Sequence, residues 1–234
     1  MPIEPPMLAV KPFYLAFLLF CAGIAPTCMA HDSPPGWPDT DKNRLLALAL
    51  TQEINIDVLG SRSATRSLEQ WCARFQLADP ARIIARRIAA DEKPATVEQR
   101  RQLQVQDNEP VRYRHVQLLC GDHVLSKADN WYVPSRLTPE MNFLLDTTDS
   151  PFGKVVQPLQ PYRITLSVQR FWPPLSESLP RHKRQSGDRR QGKRLSIPLV
   201  LFEHQALLYD NQHRPISLVD EFYQSALLDF APPE

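Results

Sequence analysis

Two arginines on an otherwise apolar strand are the residues of this chain best suited to chemistry. In VRYRHVQLLCGDHVLSKADNWYVP (residues 111–134), Arg112 and Arg114 fall in step with Val116, Leu118 and Cys120. Side chains alternate along a strand, so these five share one face. A charge turned toward an apolar face needs a partner, because burying it unpaired is costly. The partner is either an internal carboxylate, Asp129 or Glu221, or an anionic ligand. A guanidinium fork matches the two oxygens of a planar carboxylate, which makes a carboxylate the natural ligand.

Other chemistries find little footing. There are 7 glycines against 23 prolines, and neither GxGxxG nor a Walker-type loop, so no nucleotide cofactor is expected. His115, His123 and His204 fall on different predicted strands, so no metal site is expected. A net charge of +1 gives no electrostatic reason for a nucleic-acid partner.

The N-terminus reads as a processing segment. Lys11 precedes an apolar run from Pro12 to Ile24, too short for a membrane span of ~20 residues. Cys28-Met29-Ala30 then offers small residues for cleavage before His31. Residues 1–30 are therefore expected to be an export signal and the protein periplasmic or secreted. Export would leave Cys72 and Cys120 as the cysteines of the mature chain, and an oxidising compartment would join them in a disulfide.

The elements that must hold these residues follow from periodicity. A Pro-rich leader (31–40) precedes a helix over Asp41–Leu59, whose buried stripe is expected to be Leu45, Leu46, Ala49, Leu50, Ile54 and Val58. After a polar connector at 60–65, a second helix is expected from Ser67 to Phe75, then a strand over Ala81–Ala89. Thr96 and Gln99 have capping-box spacing for a short helix. The first hairpin follows, turning at Gly121-Asp122. A helix comes next over 136–148, with Met141, Phe143, Leu144 and Leu145 inward, then a strand over Tyr162–Trp172. A second hairpin over 198–227 repeats the pattern of strand, polar turn and strand. Between them, RHKRQSGDRRQGKR (181–194) carries seven Arg/Lys and one Asp. It reads as a basic surface insertion able to make weak contact with anionic surfaces.

The order of these pieces resembles the chorismate lyase fold, which also serves as the effector-binding (UTRA) domain of GntR-type regulators. The resemblance rests on Arg114 in the first hairpin, the Pro151-Phe152-Gly153 loop after the next helix, and the late strand PISLVDEFYQ. It covers about Leu59 to Phe230. It implies an α+β domain over 41–234, an antiparallel sheet with helices on one side and internally duplicated hairpins. It also implies a cofactor-free cavity in which an arginine and an acidic residue face each other across an aromatic carboxylate. By position the arginine is Arg114, or His115 if the turn lacks an insertion. The acid is Glu221, or Asp220 if counted from Pro215. Phe152 and Gly153 would line the cavity. The implied activity is loss of pyruvate from chorismate by an exported lyase-like protein, with Arg114 and Glu221 catalytic. The alternative is a non-catalytic ligand- or protein-binding module on the same fold.

Overall fold

The computed structural model describes residues 36–89, 91–175 and 193–233. The expected export signal, the first five residues of the leader and all but Lys193 and Arg194 of the basic insertion lie outside them. The described chain builds α1 (Asp41–Gly60), α2 (Ala64–Arg74), β1 (Ile83–Arg87), α3 (Val97–Gln102), β2 (Arg112–Cys120) and β3 (His123–Tyr132). It continues through α4 (Pro139–Thr147), α5 (Phe152–Val155), β4 (Tyr162–Arg170), β5 (Val200–Tyr209) and β6 (Pro215–Gln224).

The fold is α+β, with one antiparallel sheet in the order β1-β2-β3-β6-β5-β4. Each half is a hairpin with one added outer strand, and the halves join where β3 pairs with β6. This is the architecture that duplicated hairpins imply, because two such units can merge by pairing their exposed inner strands. Gly121, at φ +55°, makes the first hairpin turn. An added Cβ there would lie 2.8 Å from Ala78 Cβ, so both the backbone conformation and the space call for glycine.

The main core lies between α1, α2, α4, α5 and one face of the sheet, here called the inner face. Val116, Leu118, Ala128, Val219 and Tyr223 enter it from the strands, as alternation requires. A disulfide joins Cys72 of α2 to Cys120 of β2. The opposite, outer face carries a smaller core of Leu103, Trp131, Val133, Leu207 and Leu218 under the segment that contains α3. The helices are thus on one side except for the six residues of α3.

Several local expectations shift. α2 begins at Ala64, inside the stretch read as a connector, because Ser63 caps it by accepting from Arg66 N–H. Leu45, Ala49 and Phe143 were expected inward but are exposed, Leu45 and Phe143 at 57% and 63%. Ala47 takes the inward position on α1 instead, since the axis of α1 turns its Ala47, Leu50, Ile54 and Val58 side chains to the core. The end of the leader packs on the domain: Trp37 is buried and donates its indole N–H to the carbonyls of Leu228 and Phe230. The Thr96–Gln99 capping box forms as expected.

Candidate functional site

A cavity of about 60 Å³ opens on the inner face between the sheet, the first turn of α2 and the start of α5. Its floor comes from alternate residues of four strands: Val116 and Leu118 of β2, Ala128 and Asn130 of β3, Ser217, Val219 and Glu221 of β6, and Leu208 of β5. Arg163 of β4 enters from the side. Arg62, Ser63, Ala64 and Thr65 form one wall, and Phe152 and Gly153 another. This volume is well short of the ~300–1,000 Å³ usual for a ligand site, so an organic molecule would have to widen the cavity on entering, to be gripped by a few polar groups on apolar walls.

Glu221 and Arg163 are the charged pair of this site. Arg163 Nη1 lies 2.7 Å from Glu221 Oε2, and the side chains are 3% and 8% exposed. Glu221 Oε2 also accepts from the Tyr223 hydroxyl at 2.9 Å. The Nε and Nη2 atoms of Arg163 have no hydrogen-bond partner among the described residues. Burial pulls the Arg163 pKa down, but the Glu221 carboxylate outweighs it and the net shift is upward. Burial raises the Tyr223 hydroxyl, and the neighbouring carboxylate raises it further.

His204 stands opposite Glu221 on β5. Its Nε2 lies 2.6 Å from Asn55 Oδ1 of α1, while Nδ1 has no partner among the described residues. Burial first, and the Arg163 cation second, push its pKa down to about 4, so the ring is neutral at pH 7.

The α2 wall supplies donors. The N–H groups at the start of a helix have no intrahelical acceptor, and the helix dipole places partial positive charge there. Gly153 sits tightly against this wall: an added Cβ would lie 3.3 Å from Ser63 Oγ and 3.6 Å from Thr65 Oγ1. Lys154 of α5 forms an ion pair with Glu69 of α2, and Glu69 also accepts from Ile83 N–H of β1. These contacts fix the loop against the helix start.

Of the residues singled out in the sequence, Glu221, Phe152 and Gly153 line this cavity. Arg114 shares the inner face but not the cavity. It is 7% exposed and opens into a neighbouring cleft with Arg87, Arg112, Tyr132 and Asp146. Tyr132, with its ring 5.7 Å from that of Phe152, stands between the two openings. The cation facing Glu221 is therefore Arg163, which sequence reasoning did not single out. Its signal was weak: an arginine near the start of a strand looks like a solvated edge residue.

His115 and Asp220 project to the outer face, one residue out of phase with Arg114 and Glu221. There they lie in one cross-strand row with Asp129 between them. His115 Nδ1 is 2.6 Å from Asp129 Oδ1, which also accepts from the Tyr113 hydroxyl, and Lys93 Nζ donates to Oδ2 at 2.7 Å. Gln205 donates to Asp220 at 2.9 Å. Burial raises the Asp220 pKa and the Asp129 charge adds to that rise, against the Gln205 hydrogen bond. Among the described residues no cluster of three His, Cys, Asp or Glu could hold a metal ion.

No family model matches the chain. Among solved structures, PhnF from Mycobacterium smegmatis is 13% identical, with 85% of this chain and 92% of that chain covered at a TM-score of 0.47. The effector domain of PhnF is also 13% identical, covering 71% of this chain and 91% of that one at a TM-score of 0.46. A GntR-family transcriptional regulator from Enterococcus faecalis is 10% identical, covering 64% and 99%, at a TM-score of 0.39. In sequence, the uncharacterized protein y4mC of Sinorhizobium fredii is 43% identical over 202 residues, which is 84% of this chain and 83% of y4mC. That identity, over most of both chains, makes this chain a member of the y4mC family.

Proposed function

We propose that this protein binds a small aromatic carboxylate in the inner-face cavity. The observation that carries the reading is Arg163: a buried guanidinium whose Nε and Nη2 remain available beside the donor-rich start of α2. A carboxylate there gains charge-assisted hydrogen bonds from Arg163 and from the first turn of α2. Its ring packs against Val116, Leu118, Phe152 and Val219. The resemblance to chorismate lyases, whose cavity takes an aromatic carboxylate, supports the same ligand class.

Binding has more support than pyruvate elimination. A general base must lie within reach of the substrate proton with a lone pair free to take it. Glu221 Oε2 already meets Arg163 and Tyr223, which favours a holding role. The proposal extends to location: residues 1–30 direct export, and the Cys72–Cys120 disulfide suits an oxidising compartment.

Calorimetric titration of 4-hydroxybenzoate tests the site. Wild type should bind it, and Arg163→Gln should lose about ten- to a hundredfold in affinity. Equal affinity in the variant would remove the basis of the reading. Incubation with chorismate should release no pyruvate above background; clear release would restore the lyase. Fractionation of cells expressing the full chain should recover a shortened product outside the cytoplasm.

A further inference from the structure

The cleft beside the cavity has a chemistry of its own. It measures about 570 Å³ and lies at the end of β1 and β2, lined among others by Arg87, Arg112, Arg114, Glu92, Tyr132 and Asp146. Arg87 pairs in register with Val116, and Arg112 with Tyr132. By alternation all three arginines project from the inner face, two on one strand and one on its neighbour.

They differ in what already holds them. Arg112 Nη1 pairs with Asp146 at 2.8 Å, at the exposed rim. Arg114 is the floor: it is 7% exposed, and its Nε and Nη2 have no partner among the described residues. Arg87 is exposed and makes no side-chain hydrogen bond or ion pair among the described residues. Burial lowers the Arg114 pKa and the Arg87 charge adds to that, against Tyr132, Asp146 and Asp149, which raise it.

We propose that this cleft binds a phosphoryl group, held from the floor by Arg114 and from the rim by Arg87 and Arg112. A carboxylate has two oxygens and is satisfied by a single fork. Three guanidinium groups entering from separate backbone positions match an anion with at least three acceptor oxygens and nearly two negative charges. Asp146 and Glu92 in the lining keep the excess positive charge small, which fits one phosphoryl group better than a polyanion. The group can come as inorganic phosphate or as a phosphate monoester. Neither Arg163 nor Glu221 takes part, so the site stands separately from the carboxylate cavity.

Titrations of inorganic phosphate, phenyl phosphate and benzoate into wild type, Arg87→Gln, Arg114→Gln and Arg163→Gln test it. Wild type should bind at least one of the two phosphates. Arg87→Gln and Arg114→Gln should each weaken that binding about tenfold, while Arg163→Gln leaves it unchanged. A preference for phenyl phosphate would identify a monoester as the source, and a preference for inorganic phosphate the free ion. Arg87 is exposed, so its variant reports on binding even if Arg114→Gln fails to fold. Unchanged phosphate affinity in Arg87→Gln, equal loss in Arg163→Gln, or binding of benzoate alone would each overturn the proposal.

Discussion

Arg163 on the edge strand β4 and Glu221 on the central strand β6 meet at 2.7 Å across the inner face, with β5 between them. The small Ala206 of β5 lies on that face and leaves the path open. Both side chains are almost fully buried, so the pair is held by mutual charge in a poorly screened setting.

Removing one member should therefore cost far more than removing both. Glu221→Gln leaves a buried guanidinium uncompensated and should cost roughly 3–5 kcal/mol. The double variant Arg163→Met/Glu221→Gln should recover much of that loss. Urea unfolding of the two single variants and the double variant measures the coupling. Additive losses would mean that the two side chains act independently.

His204 makes stability fall on mild acidification. Its pKa drops from 6.5 to about 4 on folding, so the unfolded chain takes up a proton first. The contribution is fully present above pH 6.5 and is lost as the pH falls from there toward 4. At 1.36 kcal/mol per unit this amounts to roughly 3 kcal/mol. Urea midpoints followed from pH 7 to pH 4.5 should fall more steeply in wild type than in His204→Gln. Parallel curves would show that the ring does not titrate differently in the two states.

On the outer face Asp129 behaves as a depressed carboxylate. Burial works to raise its pKa, but hydrogen bonds from Lys93, Tyr113 and His115 outweigh it and the net shift is downward. Its contribution is present above the ordinary aspartate range and is lost as pH falls through the lowered value. Asp129→Asn should be destabilised at pH 7, with the gap to wild type narrowing near pH 3. Thermal unfolding at the two pH values checks the sign.

The Cys72–Cys120 bond closes a loop with a sequence separation of 48. With Cys21 and Cys28 replaced by serine, the denatured, unreduced chain should show no reactive thiol. Reduction should cost about 4 kcal/mol in the chain-entropy account. Two labelled thiols per chain before reduction would reject the bond.

What the sequence made legible was local. Alternation marked the strands, Gly121-Asp122 marked a turn, and Thr96 with Gln99 marked a helix start. The choice between Asp220 and Glu221 was not legible, because β6 is buried on both faces. Ser217, Val219 and Tyr223 flank one phase, and Ile216, Leu218 and Phe222 the other, so polarity shows no contrast between them. Register against β3 and β5 settles it, and register is a long-range property. The meeting of Arg163 with Glu221 is equally non-local. The separation of Arg114 from the cavity depends on how the Tyr132 and Phe152 rings pack, which no short motif encodes.

The position of Arg163 on an edge strand has a consequence for how the molecule opens. Among the described residues β4 hydrogen-bonds to a neighbour on one side only, and Ile164, Leu166 and Val168 are more than 40% exposed. Such a strand separates from its sheet at lower free energy than the strands inside it. Each opening would carry away the cation of the cavity and leave Glu221 on β6 with only the Tyr223 hydroxyl. A carboxylate seated on Arg163, as proposed, would bind only the closed form, and its affinity would add directly to the protection of the β4 amides. Hydrogen–deuterium exchange across Tyr162–Arg170 thus becomes a local meter of occupancy, reading the ligand where the sheet is weakest.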